Sequence, residues 1–529
     1  MGRMTRLPTL LACVCLPLLP PLQVDGSSET VALFRKVYAR SEAPRERYEA
    51  VLEMRGLDTL EAAQTLLVAL EDEDFSVRRS AIEALATYRK EEIARWLCDD
   101  VLLERKLSRK TLLRAGAAEA LGGMGHAWAY DACTALLGEK DLTLRLAAVA
   151  ALGNLKNPAA CAALSALAAD PDGTMALAAL DSLVRIGSVE GAQAAVVGAF
   201  SHPDSRARLW AIEAVTNLRL KAGIGPLIRA LEVEDGRLRG DAETALETLT
   251  FHHFGDAVEE WKKWWARSES TFIVPDKEKF LAALEAARSK GGTFAGRKSA
   301  STRQFLTIET KSENLLFVID VSGSMDTPFG DPERLKMTGR TYSSLQRLAI
   351  VKDELIATIT DLPETTTLNI VAFATDVRSW KKDPQRATIL NKAGASDWVS
   401  KLQPLGLKQG GTSFGLATGM ETLAPDNVGS TNTYLALMTA LGEPVDDVRH
   451  PQTYVTEESR LPLDTIFFLT DGEPTVGKTV DMNEIRREVQ RVNAYRGVQI
   501  HVIFVGEQGG EDLQKLAREN RGVFVKLGA

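Results

Sequence analysis

The pattern of apolar residues changes near the middle of the chain. Up to about residue 260, Ala and Leu recur with the 3.6-residue period of amphipathic helices. From residue 315 onward, short continuous apolar runs such as 315–319 alternate with helical patterns such as 345–362. Uninterrupted apolar strands between amphipathic helices are typical of a mainly parallel sheet covered on both faces. The pattern therefore predicts an all-α first half and a doubly wound α/β second half.

The helical half contains an internal repeat. An apolar residue late in a helix recurs at spacings of 36, 31, 31, 32 and 31, at the positions Leu85, Leu121, Leu152, Leu183, Val215 and Leu246. A unit of two helices cannot bury its apolar face alone, so a repeat of this length predicts a stacked solenoid. The region resembles HEAT repeats, and we expect a HEAT-like solenoid of about six units over residues 30–268.

Charged residues mark the same period. Seven residues before each apolar position lie Arg78, Arg114, Arg145, Ala176, Arg208 and Arg239, and four residues earlier lie Asp74, Lys110, Asp141, Asp172, Asp204 and Asp235. We expect each aspartate to accept hydrogen bonds from the free N–H groups at the start of a helix, and each arginine to pair with that aspartate. The alternative is an arginine stripe that binds phosphates or acidic partners, but the paired ladders favour a structural role.

Three tryptophans mark the end of the solenoid. Trp261, Trp264 and Trp265 share one helix face, which predicts a cap over the open end of the apolar core, with an exposed docking site as the alternative. The Gly-, Ser- and Lys-rich composition that follows predicts a linker over residues 269–310. We therefore expect the second domain over residues 311–529.

The N-terminus has the layout of a secretory signal. Arg3 and Arg6 precede an apolar run over residues 7–22, and a polar stretch follows at 25–28. Four prolines interrupt the run, which is shorter than the ~20 apolar residues that a spanning helix needs. Residues 1–26 are therefore predicted to be a signal peptide, with an N-terminal anchor as the alternative and no later membrane span. We expect a periplasmic, cell-surface or secreted protein.

Composition excludes several classes of protein. The chain has 63 Lys and Arg against 71 Asp and Glu, which gives a net charge of −8 and argues against a nucleic-acid partner. Beyond the signal, Cys98, Cys133 and Cys161 have no CxxC spacing. They are expected to be buried thiols, and neither a zinc site nor a disulfide framework is predicted.

Polar side chains follow two of the predicted strands. Asp320, Ser322 and Ser324 come directly after the strand at 315–319, and Asp471 follows the strand at 465–469. The carboxyl ends of parallel strands form the ligand-binding edge of such sheets. Carboxylate and hydroxyl oxygens suit Mg²⁺ much better than zinc, so a magnesium site is predicted, with Mn²⁺ or Ca²⁺ as the alternative ions.

The motifs D-x-S-G-S-M and L-T-D-G resemble those of the von Willebrand factor type A domain and its metal-ion-dependent adhesion site. The resemblance covers residues 311–529 and implies a Rossmann-like doubly wound fold. It implies that Ser322 and Ser324 bind the metal through their hydroxyls, and that Asp320 and Asp471 bind it directly or through waters. It also implies a partner protein whose Asp or Glu carboxylate completes the coordination, and therefore adhesion and not turnover.

The family's fifth metal-site residue is a threonine on an intervening loop. The segment G-S-T-N-T-Y-L-A-L places Thr431 in this role by resemblance to the family's G-G-T-N-x-Y-x-A-L. The segment G-G-T-S-F makes Thr412 the alternative, although less of the pattern matches. We favour Thr431. An insertion separates the two threonines, and a second insertion at 326–342 lies beside the site.

An enzyme is the less favoured hypothesis. Residues 411–415 fit the G-x-S-x-G of a hydrolase with Ser413 as nucleophile, and His501 lies downstream. That motif should follow a strand directly, which 404–410 is not, and His501 is expected to be a satisfied core histidine. We expect no enzymatic activity, but an exported Mg²⁺-dependent protein-binding or adaptor protein. The alternative is a structural scaffold whose repeats do the binding while the second domain holds metal without using it.

Overall fold

The computed structural model describes residues 26–107, 109–276, 278, 303–305, 308–330, 342–405, 429–443, 463–506 and 509–527. Helices form the first part of the chain: α1 (Gly26–Tyr38), α2 (Pro44–Leu52), α3 (Leu60–Leu66), α4 (Phe75–Ala86), α5 (Glu91–Trp96), α6 (Thr111–Met124), α7 (Tyr130–Leu136), α8 (Leu142–Leu155), α9 (Cys161–Leu167), α10 (Gly173–Ile186), α11 (Val189–Ala199), α12 (Ser205–Leu218), α13 (Ile224–Val233), α14 (Gly236–Thr250) and α15 (Val258–Ser268). The predicted signal peptide lies outside the described residues except for Gly26.

The helices stack as the repeat predicts. Consecutive members of the series α4, α6, α8, α10, α12 and α14 pack against one another and form one layer, which we call the inner layer. Asp74, Asp141, Asp172 and Asp204 each accept hydrogen bonds from backbone N–H groups at the start of an inner-layer helix, as predicted. Asp235 precedes α14 but makes no such bond from its side chain.

The prediction that each arginine pairs with its own aspartate is wrong for Arg145 and Arg208. Arg145 pairs with Asp170 at 2.9 Å, 25 residues later, and Arg208 pairs with Glu234 at 2.6 Å, 26 residues later. Asp141 already accepts two N–H groups of its helix, so Arg145 extends instead to Asp170, the acidic residue in front of the next inner-layer helix. The arginines therefore join consecutive repeats.

An aromatic cluster closes the end of the solenoid. Trp261 is completely buried and donates its indole N–H to the carbonyl of Gly255 at 2.9 Å. The ring of Phe272 packs edge-on against both Trp264 and Trp265. The predicted cap is confirmed. Phe272 lies within the predicted linker, so the covering of the solenoid core extends past residue 268.

The second part of the chain is a sheet flanked by helices. The strands are β1 (Arg303–Phe305), β2 (Ile308–Thr310), β3 (Asn314–Asp320), β4 (Thr367–Phe373), β5 (Val377–Ser379), β6 (Gln385–Arg386), β7 (Thr465–Thr470), β8 (Gln499–Phe504) and β9 (Phe524–Lys526). The helices are α16 (Arg347–Asp361), α17 (Ile389–Ser400), α18 (Thr433–Ala440), α19 (Met482–Asn493) and α20 (Glu511–Glu519). The main sheet has the order β5-β4-β3-β7-β8-β9, and β6 also pairs with β4.

The sheet confirms the doubly wound prediction and corrects its edges. Strands β4, β3, β7, β8 and β9 are parallel, whereas β5 and β6 run antiparallel to β4. The hairpin β1–β2 lies inside the predicted linker. Phe305 of this hairpin is buried and packs edge-on against Phe317 and Phe467 in the sheet core. The packing unit therefore begins before residue 311.

The inner layer of the solenoid packs against the second domain. Arg237 of α14 donates to the carbonyls of Asp464 and Gly497, at 2.9 and 2.5 Å, in front of β7 and β8. Ion pairs also join the inner layer to the second domain, namely Lys478–Asp74, Arg487–Glu83, Arg521–Glu213 and Lys311–Glu243. In addition, Arg491 stacks on Phe75 and Arg521 stacks on Trp210. The solenoid thus holds the sheet domain along α19 and at the amino ends of its strands.

No helix in the described ranges is both long and apolar enough to cross a membrane. Cys98, Cys133 and Cys161 are buried free thiols, as predicted.

A buried ion pair between Arg47 of α2 and Asp72, which precedes α4, allows the contribution of such arginines to stability to be tested. Arg47 binds Asp72 through Nε and Nη2 at 2.8 and 2.9 Å, and both side chains are less than 10% exposed. Removing one member of a buried ion pair leaves the other charge without compensation. We expect Arg47→Met to lower the free energy of unfolding by about 3 kcal/mol, measured by urea titration of the full chain.

Arg45 is the matched control. It pairs with Glu49 four residues later on the surface, with its side chain 86% exposed. Exposed pairs contribute little to stability. Arg45→Met should therefore leave the unfolding curve unchanged, and equal effects of the two substitutions would contradict the structural role assigned to Arg47.

Candidate metal centre

Two adjacent parallel strands bring the predicted site residues together. Ile319 of β3 lies opposite Leu469 of β7, so β3 ends with Asp320 beside Thr470, and Asp471 follows at the same carboxyl edge of the sheet. This edge is the expected place for a ligand because the strands end there and the following loops diverge.

Asp320 is completely buried and held by neutral donors. Its Oδ1 accepts the backbone N–H of Ser322 at 2.8 Å, and its Oδ2 accepts the hydroxyl of Thr470 at 2.7 Å. The pKa of Asp320 is raised to about 6, first by burial and then by the nearby charge of Asp471, which together outweigh the hydrogen bonds that lower it. No basic side chain in the described ranges binds this carboxylate, so its charge is left without a direct counter-ion.

A chain of hydroxyl groups links the loop after β3 to Asp471. The Oγ atoms of Ser322 and Ser324 are 3.1 Å apart, and Ser324 donates to Asp471 Oδ1 at 2.8 Å. The structure therefore brings Asp320, Ser322, Ser324 and Asp471 into one cluster of oxygen atoms.

Thr431 lies on the loop next to this cluster. The N–H of Gly323 donates to the carbonyl of Gly429 at 2.8 Å, and the N–H of Thr431 donates to the hydroxyl of Thr475 at 2.9 Å. These bonds hold the loop of Thr431 between the loop after β3 and the loop after β7. Thr412 lies outside the described residues, so the preference for Thr431 stays a prediction.

Two residues of the site were missed by sequence reasoning. Thr470 is the threonine of the L-T-D-G motif, and its hydroxyl fixes Asp320 from the neighbouring strand. Arg347 begins α16, and its Nη1 contacts Asp471 Oδ2 at 2.7 Å. Thr470 could have been found because it adjoins Asp471, whereas no sequence signal connects Arg347 with a residue 124 positions later.

The donors present fit a hard divalent cation. The cluster supplies two carboxylates and two hydroxyls and contains no nitrogen or sulfur ligand. Across the described residues, no group of three or more His, Cys, Asp or Glu side chains could hold a metal ion. A metal at this edge would therefore depend on serine hydroxyls, which suit Mg²⁺ and similar ions better than zinc.

Comparison with known families agrees with this architecture. Residues 31–106 and 99–184 match the family of HEAT repeats, and residues 340–413 and 416–525 match the family of von Willebrand factor type A (VWA) domains. The second domain is a VWA domain. HEAT repeats precede it, and the family match covers residues 31–184 of the helical part.

Curated relatives match part of this chain. Inter-alpha-trypsin inhibitor heavy chain H1 of Mesocricetus auratus is 30% identical over 186 residues, which cover 35% of this chain and 15% of that protein. Heavy chain H2 of Sus scrofa is 26% identical over 222 residues, which cover 41% of this chain and 18% of that protein. The match thus spans less than a fifth of the length of these relatives.

A solved structure described as von Willebrand factor type A from Catenulispora acidiphila also aligns with this chain. The TM-score is 0.23 and the sequence identity is 18%, and the alignment covers 41% of this chain and 39% of that chain.

Of the two residues of the hydrolase hypothesis, the structure describes His501 alone. Ser413 lies outside the described residues. His501 is buried in β8, where its Nδ1 accepts the N–H of Val523 at 3.1 Å and its ring stacks on Phe467. Its Nε2 is buried without a partner in the described part of the chain, so the expected core histidine is only half satisfied. Burial and, to a smaller extent, the charge of Arg237 together lower the pKa of His501 to about 4.

The lowered pKa of His501 predicts that the folded protein loses stability in mild acid. The unfolded chain takes up a proton near the ordinary pKa of 6.5, whereas the folded chain takes it up only near 4. His501 should therefore lower the free energy of unfolding by about 1 kcal/mol between pH ~7.5 and ~5.5. Urea titrations at both pH values measure this loss.

His501→Gln separates this group from the other titrating residues. The amide keeps an acceptor oxygen but has no titratable ring. The variant should show a pH-dependent loss of stability that is smaller by about 1 kcal/mol than that of the unsubstituted chain. An equal loss in both proteins would show that His501 titrates normally.

Proposed function

We propose that this chain is an exported protein-binding protein whose VWA domain holds Mg²⁺ at the Asp320–Asp471 cluster and binds an acidic side chain of a protein partner there. The single observation that carries the proposal is the cluster of four oxygen-bearing side chains at the edge of β3 and β7. Membership of the VWA family and the likeness to inter-alpha-trypsin inhibitor heavy chains support a role in protein interaction or adhesion.

Each residue of the cluster has a distinct part in this function. Asp320 and Asp471 supply the negative charge that attracts a cation, while Ser322 and Ser324 supply neutral oxygen ligands. Thr470 and the N–H of Ser322 fix the orientation of the Asp320 carboxylate before a cation arrives. When bound, Mg²⁺ supplies an electrophilic position that a carboxylate oxygen of the partner can fill.

The HEAT repeats serve as the support of the VWA domain in this proposal. Their inner layer contacts the VWA domain through Arg237, Asp74, Glu83 and Glu213. Those side chains are occupied within the chain, which favours the metal site over the inner layer as the surface that binds a partner. The scaffold alternative assigns partner binding to the repeats. The two hypotheses differ in whether EDTA abolishes partner binding, which only the metal-site proposal requires.

The proposal includes no enzymatic step. The hydroxyl of Ser324 donates to the Asp471 carboxylate, and the proposal assigns both groups to cation binding and not to attack on a substrate. A hydrolase would lose its activity on Ser413→Ala and keep it on Asp320→Ala, and we expect no hydrolytic activity to lose.

The metal site is tested by titration calorimetry of Mg²⁺ into the full chain. Asp320→Asn should weaken binding by about a hundredfold or more, because it removes one of two carboxylates from a buried site. Thr431→Val should weaken binding by about tenfold if Thr431 is the fifth ligand, whereas Thr412→Val should leave it unchanged.

Asp397→Asn is the matched control. Asp397 lies on α17 in an exposed ion pair with Lys401, so this substitution changes the net charge of the VWA domain to the same extent without touching the cluster. It should leave Mg²⁺ binding unchanged. Absence of Mg²⁺ binding by the unsubstituted chain would refute the metal site and leave the scaffold alternative.

A further inference from the structure

Arg347 places a positive charge directly on the candidate metal centre. Its Nη1 contacts Asp471 Oδ2 at 2.7 Å, while Asp471 Oδ1 accepts the hydroxyl of Ser324 at 2.8 Å. The Asp471 side chain is completely buried, and that of Arg347 is 14% exposed. Both oxygens of one candidate metal ligand are thus engaged, one of them by a cation that belongs to the chain.

This pair is poorly explained by stability alone. Taking an arginine and an aspartate out of water costs free energy that their attraction regains only when the remaining donors are satisfied. Arg347 Nε is buried and has no hydrogen-bond partner in the described part of the chain. An unpaired buried N–H has its own cost, so a fold selected for stability gains little from this arginine.

The charges of the cluster show what the arginine changes. Asp320 and Asp471 contribute two negative charges, and Arg347 contributes one positive charge, so the three groups sum to −1. A divalent cation brings this sum to +1. Without the arginine the loaded cluster would sum to zero, and an incoming carboxylate would meet no net charge.

We propose that Arg347 is a specificity-determining residue that makes the metal-loaded site cationic, so that it selects an anionic carboxylate ligand at the expense of metal affinity. This inference rests on the proposed metal site. Two positive charges in a partly desolvated cluster repel each other, which weakens cation binding. The same net positive charge attracts a carboxylate more strongly than a neutral oxygen ligand.

The proposal predicts opposite changes in cation affinity and carboxylate affinity when Arg347 is replaced, whereas a purely structural role of Arg347 does not. Arg347→Gln should bind the cation about tenfold more tightly, because the repulsion is removed. The loaded variant should bind a carboxylate about tenfold more weakly, because its net charge is zero. Damage to the fold would weaken both.

The experiment uses the full chain with Mn²⁺ as the metal probe and acetate as the carboxylate probe. Metal affinity is read from the spectrum of free Mn²⁺ by electron paramagnetic resonance. Acetate binding is read from the loss of water-proton relaxation as acetate displaces water from the bound Mn²⁺. Acetamide has the same shape without the charge and should not displace that water in either protein.

Two further variants complete the test. Arg347→Lys keeps the positive charge and should keep both affinities within about threefold of the unsubstituted chain. Arg386→Gln removes an arginine from strand β6, at the edge of the sheet, and should change neither affinity.

The outcomes are distinct. Tighter Mn²⁺ binding together with weaker acetate binding in Arg347→Gln, and recovery of both in Arg347→Lys, supports the proposal. Unchanged acetate binding in Arg347→Gln, or a weakening of both affinities, overturns it, while Mn²⁺ binding by the unsubstituted chain still supports the metal site. Failure of the unsubstituted chain to bind Mn²⁺ overturns the proposed function, and the role of Arg347 with it.

Discussion

The burial of two carboxylates at one edge of the sheet is the constraint on which the second domain depends. Asp320 and Asp471 lie at the same edge because β3 and β7 are neighbouring parallel strands that end together. Each must be satisfied without bulk water, and the surrounding groups do so: Thr470 and the N–H of Ser322 bind one, and Ser324 and Arg347 bind the other. The loops at this edge therefore have little freedom to rearrange independently.

In the solenoid, side-chain contacts within and between repeats hold the helical units in a fixed stack. Its aspartates cap the N-termini of the inner-layer helices, and its arginines form ion pairs with the next repeat. A repeat is thus stabilised by a cap of its own and by an ion pair with its neighbour. Trp261 and Phe272 then close the end where no further unit follows. The linked repeats form one continuous packed layer, and the VWA domain packs against this inner layer.

Sequence reasoning recovered the features that depend on local patterns. The strands β3, β4, β7 and β8, the aspartate caps and the Asp320–Asp471 pairing follow from apolar runs and short motifs. The rest depends on contacts between distant residues. Arg145 could pair with Asp141 or Asp170 on sequence alone, and the choice is made by which carboxylate already accepts helix N–H groups. Arg347 meets Asp471 only because α16 begins beside the end of β7, which no spacing reveals.

The loop after Asp471 connects the two halves of the molecule. It starts at Asp471 and leads to Lys478, which pairs at 3.2 Å with Asp74 at the start of the first inner-layer helix. Asp74 also caps that helix through its other oxygen. The Asp74 carboxylate thus fixes both a repeat and the loop that follows Asp471. Because α19 follows this loop and also contacts the solenoid, the position of Asp471 is determined from the sheet on one side and from the repeats on the other.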